Sequence, residues 1–444
     1  MNDYVTHPDE QPLVAGEYVT HPAEHPLAIT HVEARQILDS RGYPTIQVTL
    51  HMPDNRVVTA AAPAGASTGA HEVAELRDGG GAFGGRGVRR AVAAAEGELA
   101  NLLTGRKWSS LGDLDNRMRE LDGTEDASRL GGNTLVALSI AAARGFAMIS
   151  GLALHDWISA VTGSTQRLPV PHFNVLNGGA HAANELDFQE FMIAPVGAST
   201  FENAVEWGAE IYHALAIRVK REYDHSGLGD EGGFAPPLKN PEHALDLLIS
   251  AISDAGYTAG TGQVAIALDP AANGFRVDTG YELADAELTT AELVDYYERL
   301  VDEYPIRSIE DGFAEDDEPG WVELFNRLHS RVQLVGDDLY VTDPARIAAG
   351  AQKSLSNAVL IKPNQIGTVS QTLEAIRVAK ENNMACMISH RSGETLDTFI
   401  ADLAVGTGVG QIKSGAPARG ERVSKYNRLI EISLAHPDLP YGLA

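Results

Sequence analysis

Val332-Gln-Leu-Val-Gly-Asp337 and Ala358-Val-Leu-Ile-Lys362 are short apolar runs, each closed by a charged residue. Outward from them the same pattern recurs at Val264 to Asp269, Ile306 to Glu310, Met384 to His390 and Gln411 to Lys413. From Glu310 through Asp337 and Lys362 to His390 the run ends repeat every 25 to 28 residues, the length of one strand, one helix and two loops. That period predicts a parallel α/β barrel, whose strands aim their C-terminal residues at one mouth. Three carboxylates, Asp269, Glu310 and Asp337, then converge on a site for a cation, with Lys362 and Lys413 facing them.

A chain of 444 residues can bury a large core, and two domains are expected. With 61 acidic against 34 basic residues the formal net charge is −27. That excludes nucleic acid or an anionic membrane as partner, since both demand a basic footprint. The single cysteine, Cys386, sits in an apolar run and reads as an inert core filler in a reducing compartment. No apolar stretch is expected to approach the length of a membrane span and the first residues lack a signal-peptide pattern, so a soluble cytoplasmic protein is expected.

Residues 1–27 hold a short repeat, Tyr4-Val-Thr-His-Pro returning at Tyr18-Val-Thr-His-Pro, and read as an extended arm. Residues 28–165 begin with alternating strand patterns (Thr45 to Leu50, Arg56 to Ala60) and turn helical at Val88 to Leu103 and Thr134 to Ile149, which predicts a small α+β domain. A linker is expected at Thr162 to Thr165 and Leu168 to Pro171. Residues 166–444 form the barrel, with helices over Thr290 to Val301 and Thr395 to Val405 and an N-cap at Asp343-Pro344.

A lone acid at a strand end usually caps the next helix; three with two lysines point to a magnesium site, since magnesium takes few carboxylates and leaves positions for substrate oxygens. Asp311 and Asp338, adjacent to two of them, are expected to point elsewhere and support the ligands. A lysine near divalent cations has its ammonium form disfavoured and suits the abstraction of a proton beside a carboxylate. Two glycine-rich stretches, Gly65-Ala-Ser-Thr-Gly69 and Gly229-Asp-Glu-Gly-Gly-Phe234, offer Ser67 as a ligand for metal or phosphate and Glu231 for close approach to substrate. Leu176 to His181 with Gln189-Glu190 forms a further cluster, in which Glu190 is the like-charge neighbour that raises a carboxyl pKa.

From about residue 30 to 432 the chain resembles enolase, the phosphopyruvate hydratase family, on the matching stretches Arg35-Gln-Ile-Leu-Asp-Ser-Arg-Gly42, Gly65 to Gly69, Gln189-Glu-Phe-Met-Ile-Ala-Pro195, Gly229-Asp-Glu-Gly-Gly233, Asn364-Gln-Ile-Gly367, Ser389-His-Arg-Ser-Gly-Glu-Thr395 and Gly410 to Pro417. The resemblance implies an α/β fold: a variant (β/α)8 barrel with an N-terminal α+β cap, in homodimers or larger assemblies. It implies two Mg2+ per active site, the first on Asp269, Glu310 and Asp337, the second under the Ser67 loop with substrate phosphate. Lys362 would be the base at C2 of a small phosphorylated acid, 2-phospho-D-glycerate, and Glu231, supported by Glu190, the acid at C3. Lys413 would bind the carboxylate and Arg391 and Ser392 the phosphate, with His181, Gln189 and His390 lining the pocket.

The chain departs from the family pattern at Tyr43, Gly132-Asn133-Thr134, Asn273-Gly274 and Gly312. Glycine at 312 is expected to loosen a loop beside a metal ligand and make room for another substrate group. That motivates an alternative activity, carboxyphosphonoenolpyruvate synthase, acting on a phosphoglycerate and a nucleotide-activated phosphonoformate.

Overall fold

The computed structural model describes residues 26–66, 69–224 and 227–444, so the repeat of the N-terminal arm lies outside the described residues. Leu27, expected in that arm, belongs to the first domain. It pairs with Trp108 in a short antiparallel ladder and its side chain is buried. Three antiparallel strands follow, β1 (His31–Leu38), β2 (Pro44–His51) and β3 (Val57–Ala61). The turn between β2 and β3 runs through Asn55, at φ 65°. Ile46, Val48 and Leu50 alternate along β2 and are buried, against the helix Gly132–Ile149 that covers β2 and β3. That helix corrects one expectation: it is apolar and long enough, at 18 residues, to cross a membrane by composition, yet 83% of it is buried inside the fold.

The second domain is a closed barrel of eight strands: β4 (Val170–Asn177), β5 (Glu190–Ala194), β6 (Ala265–Asp269), β7 (Ile306–Glu310), β8 (Gln333–Gly336), β9 (Ala358–Ile361), β10 (Ala385–Ser389) and β11 (Gln411–Lys413). Val170 and Pro171, expected in the linker, instead open β4 and pair with β11. The all-parallel expectation also needs correcting, since β5 runs antiparallel to both neighbours. No crossover helix separates β4 from β5, so they join as a hairpin. Between β6 and β7 three short strands (Arg276–Val277, Gly280–Leu283, Ala286–Leu288) precede the helix Thr290–Glu303, which stretches the spacing from Asp269 to Glu310 beyond the period.

Strand side chains alternate between faces. Val335, Ala358, Leu360 and Met387 form a cluster apart from the main core, inside the barrel, while Leu334, Val359, Ile361 and Ile388 pack outward under the helices. Asp337 and Lys362 continue the inward phase of Val335 and of Ala358 and Leu360, so one period carries them from the core into the mouth. Across the interior Gln333 and Gln411 exchange two hydrogen bonds (3.1 and 2.8 Å). Asp343 caps the helix Pro344–Lys353 as predicted, accepting from the amides of Ala345 and Arg346 (2.8 and 2.9 Å). The helix expected from Thr395 starts later, at Phe399, because Asp397 caps the Phe399 amide (2.9 Å) while taking both guanidinium nitrogens of Arg144 in the first domain (2.7 Å each).

Further bonds lock the two domains together. Buried Asp115 of the first accepts from the Ser370 amide and hydroxyl (3.0 and 2.6 Å), and burial pushes its carboxyl up to about 6. Gly132, at the start of the long helix, donates its amide to Ala74 (2.8 Å), and Asn133 accepts from the Leu76 amide (2.9 Å). A Cβ at 132 would lie 2.4 Å from Val73 Cγ2, and the Val73 amide is bonded to the Gln365 carbonyl at the barrel mouth (2.9 Å). Gly132→Ala is therefore expected to lower stability by about 1–3 kcal/mol, as overpacking does, and to raise KM by displacing the segment beside Glu72. Urea unfolding and steady-state kinetics measure the two effects.

Candidate active site

Because β5 runs backwards, its first residue, Glu190, reaches the same rim as the last residues of the parallel strands and pairs in register with Asp269. His181 arrives on the loop after β4, and Glu231 on the loop that follows the helix Phe201–Tyr223. The structure brings His181, Gln189, Glu190, Glu231, Asp269, Asp337, Lys362, His390, Arg391, Ser392 and Lys413 to one cleft. Glu310 joins them through Lys413. Ser67 lies outside the described residues.

The three predicted metal ligands come from adjacent strands, and lysines bridge them. Lys413 Nζ lies 2.8 Å from both oxygens of Glu310, 3.3 Å from Glu190 and 3.5 Å from Asp269. Lys362 Nζ donates to Asp337 Oδ2, whose other oxygen accepts from Gln365 Nε2 (2.9 Å). Burial, then the neighbouring Asp269, hold Glu310 well above the usual carboxylate range. A crowd of buried acids this short of positive charge, all with oxygen donors, fits a hard divalent cation. Asp311 and Asp338 also stand near Asp337. Both Asp311 oxygens, however, accept backbone amides, of Asp337 (2.9 Å) and Asp338 (2.8 Å). Asp311 therefore fixes the turn that presents Asp337. Asp338 accepts from Asn273 Nδ2 (2.9 Å), and burial beside Asp337 pushes its carboxyl up to about 7.

Opposite, His181 lies between Glu190 and Glu231, 3.7 Å from each. Burial and the charge of Glu231 raise Glu190 well above its usual range. Burial also opposes ionisation of Glu231, but His181, His390 and Arg422 outweigh it and hold Glu231 well below. Of the two acids, Glu190 is therefore the one whose protonated form the surroundings favour, and Glu231 the one whose charge they stabilise. The tautomer of His390 follows from its partners: Arg422 Nη1 donates to Nδ1 (2.5 Å), which leaves the proton on Nε2, facing Glu231 Oε2 at 3.3 Å. Asn174 Nδ2 donates to the same Glu231 oxygen (2.9 Å). Arg391 donates to both oxygens of Glu72 (2.8 and 3.1 Å) and to Asn364 (3.2 Å). Arg41 reaches Ser392 Oγ (3.3 Å).

The sequence assigned no role to Glu72, Asn174, Gln365 or Arg422, although Gln365 lies in Asn364-Gln-Ile-Gly367, one of the stretches that carry the resemblance. The expectation for Gly312 is corrected. A Cβ there would meet Leu324, Ile309 and Tyr297, apolar packing rather than the cleft, so that glycine opens no substrate space. Tyr43 lies under Arg86, 4.1 Å from its guanidinium carbon. Cys386 is buried, its thiol pushed up to about 12 by burial.

Family models agree with this architecture. The model described as "Enolase, N-terminal domain" matches residues 29–158, and "Enolase, C-terminal TIM barrel domain" matches residues 165–437. The chain belongs to the enolase family and is an enzyme of that superfamily.

Proposed function

We propose that this member of the enolase family catalyses the magnesium-dependent, reversible dehydration of 2-phospho-D-glycerate to phosphoenolpyruvate. The observation that supports it best is topological. Lys362 follows β9, four strands around the eight-stranded barrel from β5 and Glu190, so an amine and a coupled acid pair face each other across one cleft, as a base at C2 and an acid at C3 require. Asp269, Glu310 and Asp337 would hold magnesium, which when bound supplies positive charge for a dianionic enolate and neutralises the partner of Lys362.

Within that frame the Lys362 amine takes the C2 proton. The Glu190–Glu231 pair, wedged around His181, with Glu231 aimed by His390 and Asn174, supplies the proton to the departing C3 hydroxide. Lys413 orients the carboxylate end, and Arg391, braced by Glu72 and Asn364, receives the phosphate with Ser392.

Purified protein with magnesium and 2-phosphoglycerate should form phosphoenolpyruvate at about 1 to 1,000 per second and lose that activity in chelator. C2 proton exchange without turnover would instead point to an enolate awaiting a second substrate. Glu231→Gln and Glu190→Gln are each expected to spare C2 exchange while lowering dehydration about 100-fold or more, because carbanion formation precedes hydroxide loss and either change removes a member of the pair. Exchange lost in step with dehydration would show that the pair also serves the first step.

A further inference from the structure

Far from this cleft, two histidines and an aspartate meet where the domains join. His155 and Asp156 lie on the helix Leu154–Thr162, and His436 ends the helix Gly420–Ala435. That helix follows β11 and runs back from the mouth, so its C-terminal end lies at the opposite end of the barrel. One ligating atom from each of the three residues falls within 4.8 Å of the others. The rings of His155 and His436 stand 5.2 Å apart at 79°.

His155 is 2% exposed. Its Nδ1 lies 3.2 Å from Asp402 Oδ1, and Arg428 grips both oxygens of Asp402 (3.0 and 2.7 Å). Burial of Asp402 is outweighed by these bonds, which keep it ionised. A carboxylate only accepts, so the imidazole proton sits on Nδ1 and Nε2 presents a lone pair. That Nε2 is buried and meets no hydrogen-bond partner; its nearest charged neighbour, Asp156 Oδ1, is 3.7 Å away and is held by Gln166 (2.8 Å). An imidazole whose far nitrogen is tied to a carboxylate is the arrangement that orients a metal-bound histidine.

We propose that His155, His436 and Asp156 form a second metal site, for a zinc-like transition ion, stapling the last helix of the first domain to the last helix of the barrel. Two imidazoles and one carboxylate favour such an ion over magnesium, which prefers oxygen alone. Tetrahedral zinc needs donors about 3.4 Å apart, and His436 and Asp156, both only half-buried, can close the difference by side-chain rotation.

The test uses the full chain, stripped with chelator, saturated with magnesium and titrated with zinc chloride, with bound metal counted by elemental analysis. One zinc per chain is expected. It should be lost in His436→Ala, held 10 to 100 times more weakly in Asp402→Asn, and retained in Glu310→Gln, which alters only the mouth. Magnesium-supported turnover of His436→Ala serves as the check on its folding. Failure of the wild-type chain to take zinc, or equal uptake by His436→Ala, would overturn the proposal; in the second case the zinc sits among the catalytic acids instead.

Discussion

Lys362→Ala is expected to abolish exchange of the C2 proton with solvent and to lower turnover by about 10²–10⁴-fold or more, the range a positioned general base supplies. Lys362 continues the inward face of β9, keeps 13% of its side chain exposed to the cleft, and meets Asp337 through its ammonium. Burial alone would depress the amine, but Asp337 outweighs it and holds Lys362 above its ordinary value. Arginine does not substitute, because a guanidinium keeps its proton at any accessible pH. Deuterium uptake at C2 of 2-phosphoglycerate, followed by NMR in heavy water, measures the step directly. Undiminished uptake in the alanine variant would transfer the role of base to another group.

The second large effect concerns stability. Lys413 is 2% exposed and is the shared counterion of Glu310, Glu190 and Asp269. Lys413→Ala leaves these acids buried without it, a change expected to cost about 3–5 kcal/mol, against a total stability of about 5–15 kcal/mol for a typical domain. Glu310 and Glu190 already hold their protons above the usual range, through burial and through the acids around them. A carboxyl whose folded pKa lies above its unfolded value destabilises nothing while protonated in both states, and its penalty grows as pH rises from the unfolded value through the folded one. The deficit of Lys413→Ala should therefore be small near pH 4.5 and widen toward pH 8, and added magnesium should recover part of it. A deficit independent of pH would mean that lost packing, not uncompensated charge, is the cause.

What the sequence determined by itself is what local periodicity encodes. Strand side chains alternate with period two, so Ala265, Ala267 and Asp269 share one face, as do Gln333, Val335 and Asp337, and Ala358, Leu360 and Lys362. An apolar run ending in a charge therefore announces both a barrel strand and a residue at its mouth. The helix cap at Asp343-Pro344 was legible for the same reason, because its signal lies within three residues.

Only the tertiary structure decided the rest. Nothing local says that β5 runs backwards, yet that reversal alone brings Glu190 beside Asp269. Glu72 and Arg391 stand 319 positions apart in the chain and meet at 2.8 Å; Arg422 sets the tautomer of His390 from the helix Gly420–Ala435; and Gly312, whose neighbourhood the sequence suggested was substrate space, faces Leu324 and Tyr297. Such pairings depend on how distant segments pack, and a side chain's partners, charge and tautomer are properties of that packing rather than of its neighbours in the chain.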